Sequence, residues 1–238
     1  MAPFRLGLGQ LGPLQQSSVS CGAACLAVAR MLRDPATAQW VVEGPAGDTR
    51  TPNERFADLE RRIMRRTNAA WPEPGRLQAP WPRALGTSPW GALAELEARV
   101  ADPGTTYRLL AIRALPPDGL GRVFDDVVAH TRPGEPLLLY VGSAALPRHV
   151  CLIFADENNR MVLLYEPSGG GVQLPSREAF VASRLALGGW DVPWFLIAPG
   201  TRTAGAAAAA AARLLPSPRR AAGPAMLRRS SPASRPGA

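Results

Sequence analysis

The sequence predicts an α+β fold in which N-terminal helices pack on a C-terminal antiparallel sheet. Two observations carry that expectation. The first hundred residues hold capped segments with helical apolar spacing, and after Pro136 the pattern changes to short Val-, Ile-, Leu- and Tyr-rich runs divided by Gly, Pro, Asn and Ser. Helices first and strands afterwards is an α+β layout. At 238 residues and 46% hydrophobic content the chain can bury one sizeable core.

Residues 21–33 read as a helix, with Ser20 as N-cap and Asp34-Pro35 as a stop. Thr51-Pro52-Asn53-Glu54 is a capping box with proline at the first helical position, opening a helix to about Thr67. Residues 71–89, rich in Pro and Trp, read as an irregular crossing, with Trp71, Trp81 and Trp90 as packing side chains. Ser88-Pro89 opens a helix that carries Leu93, Leu96 and Val100 on one face. A strand at 106–113 and a helix at 121–131 follow. Strands are then expected at 137–141, 149–155, 161–166 and 171–174, a helix at 177–187 and a last strand at 194–198.

The formal charge of +8 invites a nucleic-acid reading, but its distribution argues against one. There is no lysine; residues 1–200 carry 20 Arg against 19 Asp and Glu, and residues 201–238 carry seven Arg and no acid. That end also holds 13 Ala, five Pro and no aromatic residue, and it reads as a disordered tail behind a folded unit at 1–200. The chain shows no phosphate-loop lysine, no apolar run of the ~18 residues that a membrane helix needs, and no signal-peptide layout near Met1. The expectation is a cytoplasmic protein with no membrane partner, no nucleic-acid partner and no cofactor.

Three cysteines and two histidines allow each to be weighed by position. Cys21 lies at the start of the first helix, where the aligned peptide dipoles favour thiolate over thiol. Gly22 beside it would let backbone approach a substrate carbonyl. Cys25, one turn on, reads as packing with Val28 and Leu32. A nucleophilic thiol needs a base, and His149 begins a strand whose hairpin partner ends at Glu166. A turn at Glu157-Asn158 sets His149 opposite Glu166, and one at Asn158-Asn159 sets Cys151 opposite Glu166. Both place imidazole and carboxylate on one sheet face, within a glutamate's reach. Arg148 next to His149 would disfavour its protonation. Gln15 or Gln16 could present a side-chain amide to a tetrahedral oxyanion, together with the Cys21 N–H. His130, at a helix C-terminus, reads as structural. A zinc site from Cys21, Cys25, His149 and Cys151 does not match usual ligand spacings.

The order Gln15, Cys21-Gly22, His149 and Glu166-Pro167 resembles papain-like cysteine peptidases, in particular the type that processes double-glycine bacteriocin leaders and its stand-alone bacterial relatives. Gln15, not Gln16, has that type's spacing. Gly86-Thr87-Ser88-Pro89 is similar to the opening of the second helix in related bacterial proteins. The sequence departs from the type at Ser20, where it has Asp, and at Glu166, where it has Asp or Asn. The resemblance implies a papain-like fold and a cysteine peptidase-like amide hydrolase acting on a peptide or protein through an acyl-enzyme. Cys21 would be nucleophile, His149 base and acid, Glu166 its orienting group and Gln15 an oxyanion donor. An acyltransferase or deamidase, or a papain-like binding module without catalysis, would use the same residues differently.

Overall fold

The protein is described by a computed structural model covering residues 3–71, 77–156 and 161–200. The tail expected at 201–238 and the hairpin turn at 157–160 lie outside the described residues.

Helix α1 (Cys21–Arg33) is built from Ala, Cys, Leu, Val and Gly on every side, and all residues from Cys21 to Ala29 are buried. A helix apolar all round belongs in the middle of a core. Its small side chains let α2 (Pro35–Val42), α3 (Pro52–Thr67) and α4 (Pro89–Arg99) pack against it. The capping box of α3 forms as expected, with Thr51 Oγ1 accepting from Glu54 N and the Glu54 carboxylate accepting from Thr51 N. Asp34-Pro35 ends α1 but also starts α2, because the Asp34 carboxylate accepts from Ala36 N and proline takes the first helical position. Between α3 and α4 a 3-10 turn spans Arg83–Leu85. Trp81 and Trp90 meet edge-on at 5.2 Å, whereas Trp71 is exposed and does not pack as expected.

Strand β1 (Tyr107–Ala111) and helix α5 (Pro117–His130) come next. The helix begins earlier than residue 121 because Pro117 is already set for its first turn. Then follow β2 (Leu137–Gly142), β3 (Pro147–Ala155), β4 (Val162–Tyr165), β5 (Val172–Gln173), α6 (Arg177–Val181) and β6 (Val192–Pro199). Helix α6 is much shorter than the expected 177–187, because residues 182–191 leave the helix as a looped strap. The strands form one antiparallel sheet in the order β1-β6-β2-β3-β4-β5. This is an α+β architecture, with β1 as the one strand that precedes the expected strand block.

Strand β3 divides two cores. Val150, Leu152 and Phe154 join the core that holds α1 and its helical neighbours, and Cys151 and Ile153 join the core beneath α5 and α6. His149 shares the parity of Cys151. Cys25 Sγ donates to Val150 O at 3.3 Å, tying α1 directly to this strand.

The Gly86-Thr87-Ser88-Pro89 segment fits under the start of α1. Asn68 joins it twice, donating to Gly86 O and accepting from Ser88 N, both at 3.0 Å. Tyr140 from the sheet donates to Thr87 O at 3.1 Å. A Cβ on Gly22 would lie 2.7 Å from Thr87 Cβ. The space beside Gly22 is therefore taken by Thr87 rather than left open to a substrate, which corrects the expectation for this glycine. Gly22→Val should lower stability by ~1–3 kcal/mol, seen as a lower urea midpoint, although valine has the better intrinsic helix propensity.

Candidate active site

The chain before α1 is threaded along the far edge of the hairpin. Gly9 N donates to Val172 O at 2.9 Å, Val172 N to Gln10 O at 3.1 Å, and Gly12 N to Gly170 O at 2.8 Å. Tyr165 Oη donates to Pro13 O. Gly170 has φ +71, and a Cβ there would meet Gly12 O at 2.8 Å, so only glycine allows this approach. The run ends with Gln15 N donating to Pro167 O at 2.9 Å, which sets Gln15 next to the residue after Glu166. The Gln15 side chain gives one N–H to Ser17 O at 3.0 Å, and its Oε1 is buried without a hydrogen-bond partner among the described residues. Gln15 is thus brought to the site's rim, with its amide hydrogen-bonded to Ser17 rather than to Cys21. Gln16 points its side chain back to Leu14 O.

Leu152 pairs with Tyr165, and the register continues through Ala155 and Val162. That selects the pairing in which Cys151 lies opposite Glu166 and His149 is two residues away. Strand β4 has ended by then, so His149 meets a carboxylate in a turn instead of a strand neighbour. The bond is short: His149 Nε2 lies 2.6 Å from Glu166 Oε1. Glu166 also accepts from Ser168 N at 2.8 Å and Ser168 Oγ at 2.6 Å on Oε1, and from Gly169 N at 2.9 Å on Oε2. Burial pushes this carboxyl up, but its bonds from His149, Ser168 and Gly169 outweigh that and hold it at about 2. As a carboxylate it can only accept, so Nε2 carries a proton and donates it to Glu166. The longer Glu side chain therefore reaches His149 without difficulty.

Cys21 and Cys151 both reach the imidazole. Burial of His149 disfavours its cation, yet hydrogen bonding to Cys151, Cys21 and Glu166 outweighs burial and pushes the imidazole well above its usual range. Arg148 is exposed on the other side of the strand, so the expectation that it would disfavour protonation is overturned. Burial pushes the Cys25 thiol up, and it pushes Cys151 up too, with His149 offsetting only part of that. Cys21 differs from both by its place at the first residue of α1, where N–H groups lack intrahelical acceptors. All three cysteines are free thiols. Among the described residues no group of His, Cys, Asp or Glu side chains is arranged to hold a metal ion.

Ser20 occupies the N-cap position of α1 but does not cap it. Its hydroxyl donates toward Ser17 O at 3.1 Å and Glu60 Oε1 at 3.4 Å, and accepts from Ser17 N. Glu60, on α3, joins the candidate site without any signal in the sequence. Its carboxylate accepts from Gln16 N at 3.1 and 3.3 Å, and so holds the loop that joins Gln15 to Cys21. A glutamate on the second half of a helix rich in arginine reads as a solvated charge; no local pattern reports that it faces a loop 44 residues earlier.

Comparison of the chain with family models, with curated proteins and with solved structures yields no match in any of the three.

Burial pushes the Glu60 carboxyl up to about 7, with its bonds from Gln16 and Ser20 pulling the other way. The folded chain therefore binds this proton more tightly than the unfolded chain, and stability falls as pH rises from about 4.5 to about 7. Glu60→Gln should remove that fall. At pH 8 it should gain ~1–3 kcal/mol over the wild type, and at pH 4 show little difference, in urea melts run across the range.

Proposed function

We propose that this protein is a papain-like cysteine peptidase-like amide hydrolase acting on a peptide or protein substrate. One observation carries the reading: the buried His149 imidazole is held by the Glu166 carboxylate at 2.6 Å, and Cys21, the first residue of a buried helix, is among the groups that act on it. Nε2 is committed to Glu166, so Nδ1 is the nitrogen that serves Cys21. The order of Gln15, Cys21, His149 and Glu166 along the chain adds the resemblance described above.

In this reading the proton that Cys21 gives up is held on His149 as Sγ attacks the carbonyl carbon. The oxyanion forms beside the Cys21 N–H and the remaining N–H of the Gln15 amide. His149 then gives its proton to the leaving nitrogen, the C–N bond breaks, and an acyl thioester remains on Cys21. A water molecule, deprotonated by His149, attacks that thioester; the C–S bond breaks and the proton returns to the thiolate. Glu166 stays ionised throughout and keeps the ring in the tautomer that the cycle needs. An acyltransferase or deamidase would share the first half and differ only in which nucleophile or amide the cleft admits. The burial of Cys21, 2% exposed, favours as second reading a papain-like binding module without turnover.

Iodoacetamide on the wild-type protein near neutral pH should modify Cys21 at least about tenfold faster than Cys25 or Cys151, judged against the usual scale of thiol activation. Equal rates, read by peptide mass spectrometry, would sink the activated-thiol reading. On a peptide pool, Cys21→Ala should abolish cleavage, and His149→Ala should cost about 10²–10⁴ in kcat, the usual contribution of a general base. Cleavage that survives Cys21→Ala, or its absence from the wild type, would leave the binding module as the better account.

A further inference from the structure

The strap at 182–191 carries four residues in the left-handed region: Ser183 at φ 51, Ala186 at 53, Gly188 at 56 and Gly189 at 83. Two of these are not glycine, and such residues are strained, which is borne only where surrounding contacts over-determine the backbone. Those contacts are present. Leu187 and Trp190 exchange both backbone bonds at 2.9 Å, which closes a tight turn on Gly188-Gly189 with positive φ at both positions. Leu185 N donates to Asp191 O at 3.2 Å, and Ala186 N to Asp191 Oδ1 at 3.1 Å. Leu187 is buried in the core with Leu139, Ile153 and Phe180.

The turn is pressed onto His149. A Cβ on Gly188 would lie 2.9 Å from Nε2, 3.0 Å from Cδ2 and 3.2 Å from Cε1. These atoms form the edge of the ring that bonds Glu166. The same construction on Gly189 meets nothing within 4 Å. His149 is 5% exposed and the Glu166 side chain 15%, so little water reaches the bond that this turn covers.

We propose that Gly188 is a positioning residue: the strap lays its bare backbone against the Nε2 edge of His149, excludes water from the His149–Glu166 hydrogen bond, and so holds Nδ1 toward Cys21. The proposal rests on the reading of Cys21 and His149 as a catalytic pair. A hydrogen bond kept from water is stronger and its geometry better fixed than one that water can enter. Any side chain at 188 would wedge the strap off the ring, and glycine also suits the backbone there. The charged and titratable groups that face the imidazole are Glu166, Cys21 and Cys151; Asp191 is occupied within the strap.

Gly188→Ala and Gly189→Ala make a matched pair, since both add a methyl at positive φ but only the first meets His149. The chain has two histidines, so a ¹⁵N-histidine-labelled sample gives separable signals for His149 and the partly exposed His130. In the wild type the His149 Nε2 proton should exchange with water at least about tenfold more slowly than the ring protons of His130, as expected for a shielded bond. Gly188→Ala should remove that protection and lower kcat by about tenfold or more with KM little changed, in line with the cost of a misplaced catalytic group. Its pH–rate profile should also shift, and Gly189→Ala should keep both protection and profile. If Gly188→Ala does not fold, Leu187→Ala loosens the strap's anchor without touching the ring and should speed the same exchange. A His149 proton that exchanges as fast as those of His130, or equal effects of the two alanine variants, would overturn the proposal. Protection without any Cys21-dependent turnover would instead overturn the catalytic reading and leave the shield standing.

Discussion

Everything in this protein is arranged around a helix that has no outer face. From Cys21 to Ala29 every residue of α1 is buried, and Ala, Gly and Cys side chains leave its backbone close to three other helices and to β3. The close approach at Gly22 and Thr87, and the bond from Cys25 to Val150, follow from that closeness. A helix so enclosed cannot rotate or slide without opening the core on both sides. Its first residue is consequently held in one place relative to the sheet, and Cys21 is that residue.

The second fixed point is the Glu166 carboxylate. Ser168 and Gly169 supply donors from its own turn, so it stays ionised in a half-buried place and obliges Nε2 to carry the proton. The N-terminal segment, bonded along 166–172 and through Tyr165 to Pro13, locks that turn from the outside. Glu60 closes the circuit by holding the loop between Gln15 and Ser20. Imidazole, carboxylate and thiol thus come from three parts of the chain, each fixed by contacts the others do not share.

All three thiols are buried, but their surroundings differ. Cys25 and Cys151 lie within the apolar interior, where a thiolate has no compensation beyond what His149 lends to Cys151. Cys21 stands apart from both by its place at the first residue of α1.

Much of this was legible in the order of residues. The caps at Thr51 and Ser88, the apolar run from Cys21 to Ala29 and the apolar runs of β2 and β3 are local patterns set by backbone hydrogen bonding and side-chain period, so the α+β layout followed from sequence alone. Local pattern failed wherever a partner came from far away. Asp34-Pro35 ends one helix and begins another, residues 182–191 form a strap instead of a helix, Gly22 makes room for Thr87, and Glu60 grips a loop across the core. Two hairpin registers satisfied the sequence equally, and the pairing of Leu152 with Tyr165 shows which one forms. The sequence by itself determined which chemical groups are present and which faces carry them, because those depend on neighbours along the chain. Only the tertiary structure decided which imidazole nitrogen bonds the carboxylate and which backbone lies against the ring, because those depend on contacts between segments that the chain order does not bring together.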